Sequence, residues 1–95
     1  MNENIELIKD YKDCCDIGSN IDTYNYKKIF KWTCIKYENW ITKYPEHALS
    51  VTVGINSAKD DREKAMNGLN NLKIVLNKIA IIKNIDFKKI YYKII

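Results

Sequence analysis

The chain has 95 residues, enough for one folded domain with a single core over residues 1–95. Hydrophobic residues make up 46% and charged residues 29%, a balance that excludes a disordered chain. The net charge of +4 and the pI of about 8.9 are only mildly basic, below the range typical of dedicated nucleic-acid-binding domains. Ile79–Ile82, an apolar run near the end, is too short to span a membrane.

The small number of turn-forming residues indicates an all-α fold. With one proline and three glycines, the chain lacks the turns of a β-sandwich and is suited to long helices. Cysteine numbers three, Cys14 and Cys15 are adjacent, and no signal peptide is recognisable. We therefore expect reduced thiols in a cytoplasmic protein rather than a disulfide framework.

The first predicted helix begins at Asn2 or Asn4, either of which can cap it, and runs to about Asp16. The residues 18–20, Gly-Ser-Asn, form a turn signal. Its apolar face consists of Ile5, Ile8, Tyr11 and Cys15.

The second predicted helix spans 22–44, with Asp22 or Thr23 as its cap and Pro45 as its end. Its buried stripe is mostly aromatic, with steps of four and three residues: Tyr26, Phe30, Thr33, Tyr37, Trp40 and Tyr44. Ile29, Trp32 and Ile35 lie outside this stripe. A helix that is apolar on so much of its circumference predicts self-association, and we expect a dimer.

Residues 46–56 fit either a strand, from their alternating apolar pattern, or a short helix that starts at Pro45 and is followed by a loop. We favour the helix because the chain offers no obvious partner strand. Ser57 is the predicted cap of a third helix, 57–83, in which Gly68 permits close helix approach. Its stripe comprises Ala65, Leu69, Leu72, Leu76 and Ile79.

Asn84 is expected to end the third helix and Asp86 to cap a short last one, whose face is formed by Phe87, Ile90, Tyr91 and Ile94. These elements predict an all-α bundle of three to four helices. Helices 22–44 and 57–83 form its main pair, expected to be antiparallel.

Charge is distributed unevenly along the chain. Residues 1–24 carry six acidic residues against two lysines, whereas residues 67–95 carry six lysines against Asp86 alone. This asymmetry fits docking of the first helix on the last, head-to-tail contact between subunits, or simply two solvated helix faces.

No motif predicts a reaction. His47 is the only histidine, expected on the surface or in a loop, and Cys34 is its only conceivable catalytic partner. The charged residues 60–64 are typical of a helix start, and residues 53–57 lack the Gly-Lys-Ser/Thr of a phosphate-binding loop. We therefore expect a protein that is not an enzyme and that has no metal site and no cofactor.

Two groups of lysines lie beside aromatic residues and are the candidate binding residues. They are Lys28, Trp32 and Lys36 in the second helix, and Lys88, Lys89, Tyr91 and Tyr92 near the end of the sequence. Lysine neutralises phosphate and aromatic rings stack on bases, but Arg62 is the sole arginine and no nucleic-acid-binding motif is present. Binding to nucleic acid is therefore expected to be weak and sensitive to salt.

These features predict a non-enzymatic helical protein-interaction module that acts by binding and occluding a protein partner. Its small size fits an inhibitor or immunity-type protein. The abundance of Ile, Lys, Asn and Tyr indicates an AT-rich genome and, with the size, a bacterial or phage origin. The alternative is a nucleic-acid- or nucleotide-binding module that uses the lysine and aromatic surfaces.

Overall fold

The computed structural model describes residues 2–50 and 61–89, and the elements in these ranges are helical. The three α-helices are α1 (Asn2–Ser19), α2 (Tyr26–Lys43) and α3 (Asp61–Ile82). Two 3-10 segments, Ile21–Thr23 and Pro45–Ser50, follow α1 and α2, and a further helical turn begins at Phe87. No strand occurs in the described ranges, so the predicted all-α bundle is confirmed. None of these helices has the length and the apolar character needed to cross a membrane.

The end of α1 lies at the predicted turn, although the helix continues past Asp16 to Ser19. The Ser19 hydroxyl donates to the Cys15 carbonyl at 2.9 Å, and the Asn20 amide donates to the Asp16 carbonyl at 3.0 Å. These bonds satisfy carbonyl groups that the helix leaves without an internal partner.

The cap of α2 is Asn25 rather than Asp22 or Thr23. Its Oδ1 accepts hydrogen bonds from the backbone N–H groups of Lys27 at 3.0 Å and Lys28 at 3.4 Å. The two predicted caps were wrong because they belong to the 3-10 turn Ile21–Thr23, which lies between the two helices.

Pro45 follows α2 as predicted, and the 3-10 segment Pro45–Ser50 that it begins agrees with the favoured helical interpretation of this region. Residues 51–56 and the predicted cap Ser57 lie outside the described residues, so the strand alternative beyond Ser50 stays open.

Asn84 ends α3 as predicted, in the left-handed conformation with φ of 58°. The Ile85 N–H donates to the Ala80 carbonyl at 2.8 Å, and the Asn84 N–H donates to the Ile81 carbonyl at 3.2 Å. This pattern is a Schellman motif, in which asparagine replaces the usual glycine. Asp86 then accepts from the Lys89 N–H at 3.3 Å and caps the next turn. Of the predicted last face, Phe87 is buried and Ile90, Tyr91 and Ile94 lie outside the described residues.

Helices α2 and α3 form the most extensive contact in the bundle, but they run parallel. Asp22, before α2, pairs with Arg62 at the start of α3, and the Lys83 ammonium lies 5.7 Å from the Tyr44 ring at the far ends of both helices. The predicted antiparallel orientation was therefore wrong. Residues 44–60 supply enough chain to return along the bundle before α3 begins, since each residue spans up to about 3.3–3.6 Å.

Helix α1 is antiparallel to both partners. Its end lies beside the start of α3, where Gly18 is next to Leu69, and its middle lies beside the end of α3, where Tyr11 stacks on Phe87. The acidic residues of α1 pair mainly with α2, through Lys43 to Glu6 at 3.1 Å and Lys36 to Asp10. Docking of the first helix on the last was one of three interpretations of the charge asymmetry, and the contact that α1 makes there is the apolar stacking of Tyr11 on Phe87.

The core is formed by the predicted stripe of α3 together with one side of α1 and α2. Thr33 and Trp40 of the aromatic stripe are fully buried, and its other four members are half-buried. Ile29, predicted to face a partner, is only 4% exposed because it packs against Ile21 and Ala65. The main buried cluster consists of Leu7, Cys14, Trp40, Leu69, Leu72, Val75, Leu76, Ile79, Ala80 and Phe87.

A polar contact crosses this core between α1 and α2. The Trp40 Nε1–H donates to Asp10 Oδ2 at 2.8 Å, and the Lys36 ammonium lies 3.2 Å from Asp10 Oδ1. Asp10 is 1% exposed, so its carboxylate has lost contact with water. The Trp40 N–H and the Lys36 ammonium replace those contacts.

Gly68 permits the close approach of α3 to α2 that the sequence predicted. A Cβ at this position would lie 3.2 Å from Thr33 Cγ2, which is buried and has little room to move. We expect Gly68→Val to lower the free energy of unfolding by about 1–3 kcal/mol through overpacking. Valine has a higher helix propensity than glycine, so a lower free energy of unfolding in the variant would reflect packing alone. Chemical denaturation followed by circular dichroism measures it.

Gly18→Ala is a control for a glycine site with more room, since its Cβ would meet Leu69 at an ordinary 3.4 Å. It should leave stability unchanged or raise it by about 0.5–1 kcal/mol. An undiminished stability of Gly68→Val would show that the close approach is not required.

The buried and exposed ion pairs between α1 and α2 should differ in their contribution. Asp10→Ala leaves the Trp40 N–H without its acceptor and should cost about 1–3 kcal/mol. Glu6→Ala removes a half-exposed pair with Lys43 and should cost no more than about 1 kcal/mol. Alanine has a higher helix propensity than either acidic residue, so a loss of stability in either variant would reflect the lost contact. Equal losses in urea denaturation would contradict the central role of Asp10.

Candidate functional site

A concave surface lies where α1 meets the end of α3. The rings of Tyr11 and Phe87 stack with centroids 4.1 Å apart and planes 11° from parallel. Beside them is an open groove of about 390 Å³. Its lining comprises Tyr11, Asn77, Ala80, Ile81, Ile85, Asp86, Phe87 and Lys88.

The groove continues onto the outward face of α3. Ile81 is 78% exposed and Ile74, two turns earlier, is 45% exposed. With exposed asparagines between and before them, these residues recur at steps of three and four, as in a coiled-coil seam. We call this row the α3 seam; its residues are Asn67, Asn70, Ile74, Asn77 and Ile81.

The charged side chains beside the seam on α3 are lysines, while the groove is lined by both Asp86 and Lys88. From Lys64 to Ile82 the helix contains lysines but no acidic residue. Lys73 and Lys78 occupy the helical positions that flank the seam on its two sides, and Lys88 lines the groove. Within the described residues, no carboxylate lies within 4.0 Å of these three ammonium groups, whereas Lys12, Lys36, Lys43 and Arg62 each have one.

The structure separates the two groups of predicted binding residues. Lys28 is exposed in the first turn of α2, whereas Lys88 and Lys89 lie past the end of α3, at the opposite end of the parallel pair. Trp32 is half-buried against the core, and Lys36 is engaged by Asp10. Of this set, Lys88 lines the groove and Lys89 adjoins it. Tyr91 and Tyr92 lie outside the described residues.

His47 was predicted to lie on the surface or in a loop; it lies in the connecting segment Pro45–Ser50, and the surface alternative was wrong. His47 is only 8% exposed, with its ring 6.4 Å from that of Tyr44 and its Nε2 3.9 Å from a Glu46 carboxylate oxygen. Cys34 lies in the middle of α2, roughly 14 Å along the helix axis from the end at Lys43. The described residues contain no group of three or more side chains able to hold a metal ion.

Two of the three cysteines, Cys14 and Cys34, lack the features of nucleophiles. Cys14 is fully buried, and desolvation, together with the nearby Cys15 and Asp10, raises its pKa to about 12. Burial also raises the pKa of Cys34. A thiolate is the reactive form, and neither site favours it.

Burial likewise raises the pKa of the Tyr11 hydroxyl, and interaction with Cys15 adds to this effect. A hydrogen bond with Asn77 acts in the opposite direction. Tyr11 therefore remains a neutral, amphipathic wall of the groove, linked to the seam through Asn77.

No protein-family model, curated protein or solved structure shows significant similarity to this chain. Its function has to be inferred from the chemistry of the groove and the α3 seam.

The sequence-based prediction missed the seam because it assigned α3 a single core stripe and placed the additional apolar surface on α2. The available signal was the pair Ile74 and Ile81, which are seven residues apart. They fall on the opposite side of the helix from Leu72 and Ile79. A second apolar row opposite the core row predicts a second contact surface.

The cysteines should react in order of exposure. We expect Cys14 to resist iodoacetamide at pH 8 in the folded protein, because its pKa of about 12 leaves almost no thiolate and its sulfur is buried. Cys15 and Cys34 should be modified faster. Peptide mass spectrometry after timed quenching measures the order, with urea-unfolded protein as the control in which all three react. Rapid labelling of Cys14 would contradict its burial.

Proposed function

We propose that the protein is a non-enzymatic interaction module that binds another protein through the groove and the α3 seam. The observation that carries this proposal is the exposure of Ile74 and Ile81 on one outward face, continuous with the Tyr11–Phe87 groove. Exposed apolar side chains are unfavourable in water, and their grouping beside a groove is typical of an interaction site.

The seam has dimensions suited to a macromolecular partner. From Asn67 to Ile81 it extends about 21 Å along the helix, and the groove lengthens it further. A small molecule would contact a fraction of such a surface, whereas a helix or an extended segment would cover it.

Catalysis would use side chains such as Asp10, Cys14 and His47, but each of them is buried, which favours binding over catalysis. Asp10 is held by Trp40 and Lys36, Cys14 has a raised pKa, and His47 is buried far from Cys34. A catalytic site needs such groups to converge around a cavity.

We propose more specifically that the protein is an inhibitor or immunity-type protein that occludes its target. We also propose a bacterial or phage origin. The support is the size and composition of the chain. Cytoplasmic localisation is proposed from the three free cysteines.

Self-association stays a prediction. The prediction was based on Ile29, Trp32 and Ile35 of α2. Of these only Ile35 is largely exposed, at 57%, since Ile29 is buried and Trp32 is half-buried.

Nucleic-acid binding is the weaker candidate. Arg62 is paired with Asp22 and Lys36 with Asp10, so two of the cations suited to phosphate are already neutralised. The central residues of the seam are isoleucine and asparagine rather than cations.

Site-specific photocrosslinking in the native host tests the proposal. A benzoylphenylalanine at position 81 should give a discrete protein adduct that resists nuclease, because this position lies where the α3 seam meets the groove. The matched control carries the same group at Ile35, which is similarly exposed but lies on α2. The adduct should disappear when Ile74→Ser is added.

The same adducts from positions 81 and 35, or none from position 81, would overturn the proposal. Adducts that consist of RNA or DNA would promote the weaker candidate. Circular dichroism of each variant establishes that the helices are retained.

A further inference from the structure

We infer that the occupant of the α3 seam is an amphipathic α-helix of the partner, with acidic side chains on both flanks of its apolar row. This inference rests on the proposed function and specifies the partner's chemistry.

The spacing of the seam favours a helix as the occupant. Seam residues recur at three and four positions, which presents knobs and holes to a second helix packed at a shallow angle. An extended strand repeats every two residues and would match only some of these positions. The groove beside Ile81 would receive a large apolar side chain from one end of that helix.

The asparagines set a condition on the partner's sequence. Asn70 and Asn77 alternate with isoleucines within the seam, and their amides need hydrogen-bond partners if they become buried. The partner helix should therefore place Asn, Gln or Ser opposite them and Ile, Leu or Val opposite Ile74 and Ile81. Polar residues at such positions fix the register of a coiled coil.

The flanking lysines exclude a second copy as the favoured occupant. In a parallel pairing, Lys73 of one copy would face Lys78 of the other. In an antiparallel pairing, each lysine would face its own equivalent. Both arrangements oppose like charges, and no acidic residue between Lys64 and Ile82 is present to compensate. Glutamate or aspartate at the partner's flanking positions would be complementary to both lysines and to Lys88 at the groove.

Three labelled synthetic helical peptides of matched length test this inference on the full-length protein by fluorescence anisotropy. The first has an Ile and Asn seam with glutamate flanks, the second has the same seam with lysine flanks, and the third has glutamate flanks with serine in the seam. We expect the first to bind at least about tenfold more tightly than the other two, and to weaken as salt rises.

Charge reversal in the protein provides the decisive control. In Lys73→Glu/Lys78→Glu the preference should invert, so that the lysine-flanked peptide binds more tightly than the glutamate-flanked one. Lys28→Glu, which changes charge at the far end of α2, should leave the preference unchanged. Ile74→Ser/Ile81→Ser should weaken the acidic peptide at least about tenfold.

Equal binding of the acidic and basic peptides, or no inversion by charge reversal, would overturn the inference. If the peptides fail but position 81 still gives a discrete protein adduct, the proposed function stands and the acidic helix is wrong. A native mass of twice 11.2 kDa that reverts to 11.2 kDa in Ile74→Ser/Ile81→Ser would identify a second copy as the occupant instead.

Discussion

The buried carboxylate of Asp10 is the constraint on which the arrangement of the helices depends. It accepts from Trp40 Nε1 at 2.8 Å and lies 3.2 Å from the Lys36 ammonium, so it fixes α1 against α2 at one register. A buried charge tolerates no slip along the helix, because displacement would leave it without compensation. Trp40, the largest fully buried side chain, is held in one orientation and provides the surface against which the leucines of α3 pack.

The seam on α3 is a consequence of this packing. Helices α1 and α2 together cover the side of α3 that carries Leu69, Leu72, Leu76 and Ile79. A third helix laid on a pair in this way has its opposite side directed to solvent. That side carries Ile74 and Ile81 instead of the charged residues that usually occupy an exposed helix face. The packing of the core thus determines where Ile74 and Ile81 lie, although these residues are not part of the core.

The same arrangement of helices explains how charge is distributed over the protein. Acidic residues of α1 are used internally, where Glu6 and Asp10 pair with lysines of α2. The lysines that flank the α3 seam have no carboxylate within ion-pair distance in the described part of the chain. Internal pairing thus uses Glu6 and Asp10, and lysines flank the exposed isoleucines of the α3 seam, a combination that is complementary to an acidic amphipathic helix.

The sequence by itself determined the helices, the core side of α3, the end of that helix at Asn84 and the close approach at Gly68, because periodicity, capping and steric effects act locally. It did not determine the direction of the main pair or the burial of Ile29 and His47. Periodicity specifies which side of a helix is apolar, but not which neighbour covers it, and the connection 44–60 is long enough for either direction. The candidate site was likewise decided by tertiary structure. Lys88 was predicted from the sequence, whereas Tyr11 reaches the same groove only because α1 lies antiparallel against the end of α3.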